Sequence, residues 1–536
     1  MTAPNVVFIV ADDLGFSDPG CFGGELRTPA LDRLAGEGVR LSAFYTGARC
    51  SPSRASLLTG LHPQQAGLGI LTNDDRPHGY PGTLTEDCAT TAEVLADAGF
   101  ATGMVGKWHL TADVRQANGA WPVRRGFDRF FGTLSGAGSY YDPPTLTRGA
   151  VNAEHEARDP AFFYTDAISD EAVEFVSSRA ATLPRRPFFL YVAYTAPHWP
   201  LHEPDEDDIA TYDGVFDVGR DELRAGRLQR MRAAGVLGPE TELSEADAAH
   251  PSWSKAGDRA WHLRRMQVYA AQVERMDRGI GRILSALEAA SAADDTMVVF
   301  LSDNGASPEE LPLVEPDRFS RRTDILRDRT RAGSLITIGN DPNVPPGPED
   351  TFQSYGRAWA NLSNTPFRRY KRWVHEGGVC APCIVRWRGG GVVEGRVIDA
   401  PFQLVDVLPT VLEATGARYP AERGGRSIPP LEGRSMLAAL RGDEVPESTL
   451  YWEHTGNAAV RRGRWKLVRE HGRPWELYDL TADRSEMRDV AAEQADLAAE
   501  LTAAWRAWAK RVRLIPWETT LELYRRRGLG EIDAAG

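Results

Sequence analysis

Four short apolar runs each end in side chains able to do acid–base or metal chemistry. The run 6–10 leads into Asp12-Asp13, and the run 100–105 into Lys107-Trp108-His109. The run 188–194 leads into His198, and the run 296–301 into Asp303-Asn304. Three carboxylates drawn into one crevice repel one another unless a cation lies among them. Asp12, Asp13, Asp303 and the side-chain oxygen of Asn304 form an all-oxygen set. Such a set selects calcium or magnesium over zinc, and a carboxylate-rich cage favours the larger calcium ion. One aspartate after a strand is as readily a helix cap. A pair at one strand end and Asp-Asn at another make the metal the better reading.

The second concentration of chemistry is Arg49-Cys50-Ser51-Pro52-Ser53-Arg54, continuing to Leu58-Thr59-Gly60. Ser51 suits an N-cap and Pro52 a first helical position, so a helix is expected to begin directly after Cys50. Its positive end, with Arg54 one turn inside, favours negative charge at position 50. From the residues alone, Cys50 is either an activated thiolate or a modified residue.

These groups gather only if the runs are strands of one sheet. Continuous apolar runs such as Val6-Val7-Phe8-Ile9-Val10 suit strands covered on both faces. They alternate with helical patterns at 91–98, 166–183 and 264–290, and further on a strand at 383–387 precedes a helix at 405–415. That order predicts a large mixed, mostly parallel sheet flanked by helices over 1–440. In such sheets ligands bind beyond the carboxyl ends of the strands, where the chemistry-bearing residues lie. After 440 the pattern becomes short strands at 450–452, 458–461, 465–469 and 475–478, then a helix at 491–512. A small antiparallel-sheet domain with a helix is therefore expected over 441–536. Residues 203–260 and 305–365 read as insertions, the second a weakly patterned segment over the sheet edge. The acidic run Glu203 to Asp208 reads as a solvated face or a helix start.

Composition narrows the function. A formal net charge of −13 argues against nucleic acid and anionic membranes as partners. No apolar run approaches the roughly 20 residues that span a bilayer. The opening Met1-Thr2-Ala3-Pro4-Asn5 has no basic leader, so a cytoplasmic location is expected. Five cysteines at irregular spacing are not a disulfide framework. Cys380-Ala-Pro-Cys383 lacks the second pair a zinc site needs.

The segment Cys50-x-Pro52-x-Arg54, continuing to Leu58-Thr59-Gly60, resembles the motif of the type I sulfatases, within the alkaline phosphatase superfamily. The resemblance extends through Val10–Gly15, Gly106-Lys107-Trp108-His109, Ala196-Pro197-His198, Ser302-Asp303-Asn304-Gly305, and Lys371 five residues before Glu376-Gly377-Gly378. It is strongest to the bacterial arylsulfatases. It implies an alkaline phosphatase-like fold and a hydrolase of aryl and alkyl sulfate monoesters. Cys50 would be oxidised to Cα-formylglycine by a transient partner, a formylglycine-generating enzyme. One Ca²⁺, rather than Mg²⁺, would be held by Asp12, Asp13, Asp303, Asn304 and an oxygen of modified Cys50. Arg54 and Lys107 would hold the formylglycine and offset sulfate charge. His109 would meet the hydrated aldehyde, while His198 and Lys371 would face the ester and leaving-group oxygens. Lys107, His198 and Lys371 would thus also bind substrate.

A thiolate attacking sulfur leaves an adduct with no easy exit, whereas a hydrated aldehyde keeps a second hydroxyl through which sulfate is expelled. His198, with Lys371, is expected to protonate the departing oxygen, and His109 to take the proton of the second hydroxyl. Trp199, His202, Arg76, His78, Tyr140 and Tyr141 are candidates for an outer substrate pocket. A formylglycine-dependent phosphonate monoester or phosphodiester hydrolase of the same superfamily is the alternative. A catalytically silent scaffold would lack the nucleophile or a ligand, and every expected position is occupied.

Overall fold

The computed structural model describes residues 3–182, 186–249, 251–314 and 322–527. Its centre is a ten-stranded sheet. In chain order the strands are β1 (Asn5–Ala11), β2 (Val39–Leu41), β3 (Ala101–Gly106), β4 (Arg129–Thr133) and β5 (Leu146–Arg148). They continue with β6 (Val151–Asn152), β7 (Phe188–Ala193), β8 (Thr296–Ser302), β9 (Cys383–Arg386) and β10 (Arg396–Ile398). Across the sheet they run β10-β2-β9-β8-β1-β7-β3-β4-β5-β6. The five from β8 to β4 are parallel, and β9 pairs antiparallel with both β8 and β2. The mixed, mostly parallel expectation holds.

Residues 6–11 are wholly buried because the sheet is covered on both faces. Successive side chains point to opposite faces. Val7, Ile9, Leu190, Val192, Val298 and Phe300 pack into one core with Ile168, Phe175, Met266 and Ile280. The last four come from two long helices, Tyr164–Thr182 and Arg259–Ala289. Val6, Phe8, Val10, Tyr191, Val299 and Leu301 enter the other core with Ala55, Leu57 and Leu58 of the helix Cys50–Thr59, here α1. Each Val, Leu, Ile, Phe or Met side chain among them contributes roughly 1.5–3 kcal/mol on burial.

The C-terminal unit is a four-stranded antiparallel sheet of β11 (Thr449–His454), β12 (Asn457–Arg462), β13 (Trp465–Arg469) and β14 (Glu476–Asp479). Its two faces have different partners. Val460, Leu467 and Leu477 pack on Leu501, Trp505 and Trp508 of the helix Ala495–Arg511. Trp452, Ala459, Val468 and Tyr478 face the other way and join the core of the large sheet. The small sheet is thus wedged between its own helix and the main body.

Several expected details shift. The helix expected to reach Leu183 is described to Thr182, and Leu183 lies outside the described residues, as do Met1, Thr2, 315–321 of the 305–365 insertion, and 528–536. The 203–260 insertion holds the helices Glu206–Ala210 and Arg220–Ala233. The acidic run starts the first of these, with Asp205 accepting the Asp207 amide, but Glu203 is buried against Arg275 at 2.6 Å rather than solvated. The 305–365 insertion contains the helix Arg357–Ser363. A further helix, Trp517–Arg526, docks on Ile70 and Tyr80. Cys380 and Cys383 are buried and free.

Candidate active site

Parallel strands that end level bring their following residues together. Ala11 lies beside Ser302, Val10 beside Ala193, and Gly106 beside Ala193. Asp12-Asp13, Asp303-Asn304, Lys107-His109 and His198 therefore leave the sheet at one end. Gly106 is required there: it has φ 99°, and a Cβ would sit 1.9 Å from the Ala193 carbonyl oxygen. Asp13 and His109 adopt φ 67° and 53°. A non-glycine residue held in that left-handed region costs on the order of 1–3 kcal/mol, a strain that clusters at functional sites.

The three carboxylates are each hydrogen-bonded by a different cation, and Arg54 Nη2 also lies 3.8 Å from Asp12 Oδ1, beyond hydrogen-bond distance. Lys107 Nζ donates to Asp12 Oδ2 at 2.6 Å, Lys371 Nζ to Asp13 Oδ2 at 2.7 Å, and Arg54 Nε to Asp303 Oδ2 at 3.0 Å. Every one of these side chains is almost wholly buried. The protein's own cations therefore answer the repulsion that the sequence argument assigned to a metal. The case for a metal rests instead on unused oxygens. Asp12 Oδ1 and Asn304 Oδ1 are buried without a hydrogen-bond partner, a costly state for a polar atom. Asn304 Nδ2 donates to Asp13 Oδ1 at 2.6 Å, so its oxygen is the end left over, and the Asp13 amide reaches Asp303 Oδ1 at 3.2 Å. Two orphaned oxygens beside two further carboxylates fit a hard divalent cation.

The ligating atoms of Asp12, Asp13 and His198 lie within 4.8 Å of one another. His198 is nevertheless committed elsewhere. Its Nδ1 donates to the Trp199 carbonyl at 2.7 Å, which leaves Nε2 as the acceptor for Lys371 Nζ at 3.3 Å. Burial lowers the His198 pKa to about 3, against the pull of Asp13. Burial raises the Asp13 carboxyl, but Lys371 and His198 outweigh it and hold the group below its ordinary value. Burial, with the charge of Asp12, pushes Asp303 up to about 6.

Helix α1 begins at Cys50 itself, with Arg49 as its N-cap and Pro52 two residues in. The expected Ser51 cap is wrong by two positions. Pro52 fits because the first-turn amides have no intrahelical partner to lose. Cys50 Sγ sits 3.3 Å from His109 Nδ1. Burial lifts the Cys50 thiol above its usual value, despite Lys107 and Lys371. That shift runs against an activated thiolate at this position. Burial, then Lys107 and Arg54, hold His109 neutral.

Glu309 escaped the sequence reading. Its Oε1 accepts from Arg49 at 2.9 Å, its Oε2 from the Trp199 indole, and Lys371 Nζ lies 3.8 Å away. It links the neighbour of Cys50 to the neighbour of His198. Nothing in Ser307-Pro308-Glu309-Glu310 distinguishes it from a surface acid. Of the outer-pocket candidates, Trp199 is at the site. Tyr140 reaches the carbonyls of Thr195 and His198, each at 2.8 Å, and so supports the His198 loop from behind. His202 and Tyr141 are buried and bonded to Thr351 and Gly347. Arg76 and His78 are exposed, Arg76 paired with Asp74.

The family described as Sulfatase matches residues 4–417. A second, described as N-sulphoglucosamine sulphohydrolase, C-terminal, matches 368–510. The chain is 33% identical to an uncharacterized sulfatase of Schizosaccharomyces pombe, over 94% of this chain and 92% of that one. It is 34% identical to the arylsulfatase of Klebsiella aerogenes, over 81% and 91%. The crystal structure of Ps i-CgsB superposes with a TM-score of 0.69 over 99% of both chains, at 24% identity, a likeness of fold.

Proposed function

The chain belongs to the sulfatase family and is a sulfuric ester hydrolase; on that premise we propose that Cys50, oxidised to Cα-formylglycine, is its nucleophile, beside one Ca²⁺ held by Asp12, Asp13, Asp303 and Asn304. The modified residue would supply an oxygen nucleophile that can be released again, and the ion a Lewis acid for sulfate oxygens. The observation that carries the reading is the pair of orphaned oxygens, Asp12 Oδ1 and Asn304 Oδ1, in the same buried crevice as Cys50 and His109.

The charges suit an anionic ester. Asp12, Asp13 and Asp303 are balanced by Lys107, Lys371 and Arg54, so a divalent ion leaves a net positive site for the substrate and for charge developing on it. Arg54, fixed by Asp303 and the Lys107 carbonyl, holds the carboxylate cage in shape. Lys107 and Lys371 point their ammonium groups at the cage. His109 Nδ1, neutral and 3.3 Å from Cys50 Sγ, is placed to take a proton from a hydroxyl that the modified residue 50 would carry. On the leaving-group side the proton comes from Lys371, because His198 Nε2 is its acceptor and His198 Nδ1 is spent on Trp199. His198 orients the Lys371 ammonium. In this reading Lys371 is the general acid and His198 its hydrogen-bond partner, the reverse of the emphasis expected from sequence.

The substrate is a small-molecule sulfate ester, aryl in the first place, as the name of the Klebsiella aerogenes relative suggests. Residues 1–440 form the catalytic domain and 441–536 the smaller one. A formylglycine-generating enzyme is the transient partner. A cytoplasmic setting agrees with the unpaired Cys21, Cys88, Cys380 and Cys383. Among the described residues no helix is long and apolar enough to cross a membrane.

Matched 4-nitrophenyl sulfate, phosphate and phenylphosphonate esters test the substrate class. The sulfate is expected to lead in kcat/KM by on the order of a hundredfold or more. A lead for the phosphonate would instead select the phosphonate hydrolase.

A further inference from the structure

Lys371 sits on a short loop whose flanking residues, Arg369 and Arg372, have φ 67° and 87°. Such a backbone must be held. The main body supplies part of the hold: the Ala306 carbonyl accepts the Lys371 amide at 3.1 Å, and Asn364 Nδ2 donates to the Arg369 carbonyl at 3.1 Å. The rest comes from the C-terminal sheet. Asn457 Nδ2 donates to the Arg372 carbonyl at 3.2 Å, while the Arg372 amide donates to the Ala48 carbonyl at 2.6 Å, two residues before Cys50. Arg369 pairs with Glu470 at 2.7 Å, and Arg368 with Glu476 at 2.7 Å. Beyond the loop, the fully buried Glu376 is gripped by Lys466 at 2.8 Å and Arg484 at 3.0 Å.

A lysine side chain has four rotatable bonds, so its ammonium is placed well only if its backbone is fixed. We propose that the C-terminal sheet is part of the catalytic apparatus, with Asn457 and Glu470 as positioning residues that fix the backbone on either side of Lys371. They thereby hold its ammonium between Asp13 and His198. The proposal rests on the reading of Lys371 as proton donor to the leaving group. Misplacing such a group by about 1 Å costs up to roughly a hundredfold in rate.

A purely structural role and a positioning role differ in one readout. A misplaced proton donor harms poor leaving groups most, whereas lost stability lowers all rates alike. The experiment compares kcat/KM for 4-nitrophenyl sulfate and phenyl sulfate in the wild type, Lys371→Ala, Asn457→Ala, Asn457→Ser and Glu470→Gln. Lys371→Ala calibrates the effect. Asn457→Ala and Glu470→Gln are expected to lose about tenfold more on phenyl sulfate than on 4-nitrophenyl sulfate. Asn457→Ser, which keeps a donor, is expected to recover most of that difference. Glu470 is part-exposed, so Glu470→Gln keeps the test alive if Asn457→Ala does not fold. Equal losses on both esters in Lys371→Ala overturn the proton-donor role itself. A steep Lys371→Ala beside flat Asn457→Ala and Glu470→Gln overturns the positioning role alone.

Discussion

Cys50→Ala is expected to lower kcat for aryl sulfates by about 10⁴-fold or more, the scale on which removal of a covalent nucleophile acts. The fold should survive. Among the described residues the Cys50 thiol has one polar contact, to His109, and a methyl group fits where the thiol was. Cys50→Ser separates the nucleophile from its release. A serine hydroxyl can accept the sulfuryl group once but has no second hydroxyl on the same carbon through which to expel it. The expected record is a stoichiometric burst of phenol followed by a stall, read by rapid-mixing absorbance with 4-nitrophenyl sulfate. Sustained turnover by Cys50→Ser at the wild-type rate would remove the reason for an aldehyde.

Metal removal should silence the enzyme without unfolding it. Asp12, Asp13 and Asp303 already carry one buried cationic partner each, so chelation leaves no uncompensated cluster of charge. Stability should fall only by what ligand binding adds through mass action, about 2.7 kcal/mol at a hundredfold excess over Kd. Activity should fall at least on the order of a hundredfold, because the sulfate loses its Lewis acid. Calcium should restore it better than magnesium, and zinc should not, given oxygen donors alone. Activity assays with ion replacement, beside thermal melts, read both effects. Full activity in thoroughly chelated protein, or collapse of the fold on chelation, would contradict the account.

Much of this site was legible because parallel strands make a sheet whose chemistry lies at one end. The register of Ala11 with Ser302 turns two separate strand ends into one oxygen cage, and each end is visible as an apolar run followed by acids. Cys50, Arg54, Lys107, His109 and His198 were found in the same way or through the motif. Lys371 was not. It stands on a loop with no periodicity, and only the family resemblance pointed to it. Glu309 was missed because a carboxylate six residues beyond Asp303 carries no sign of which way it faces. Its importance lies in reaching Arg49, 260 residues away in the chain. The helix start at Cys50 was misplaced because a proline anywhere in the first turn is tolerated, so Pro52 did not fix the boundary.

The sheet shows the same division. Local pattern found the strands, but the antiparallel insertion of Cys383–Arg386 between Val39–Leu41 and Thr296–Ser302 depends on pairing between distant segments. The four C-terminal strands were read from alternation and turn residues. That Trp452 and Tyr478 face the main core, while Val460 and Leu467 face their own helix, needed the three-dimensional arrangement.

The most direct test is peptide mass spectrometry of the segment carrying residue 50, on protein produced together with a formylglycine-generating enzyme. The account predicts a peptide in which the thiol has become an aldehyde that reacts with a hydrazide probe, in proportion to specific activity across preparations. Fully active protein whose residue 50 is an unmodified cysteine would contradict it.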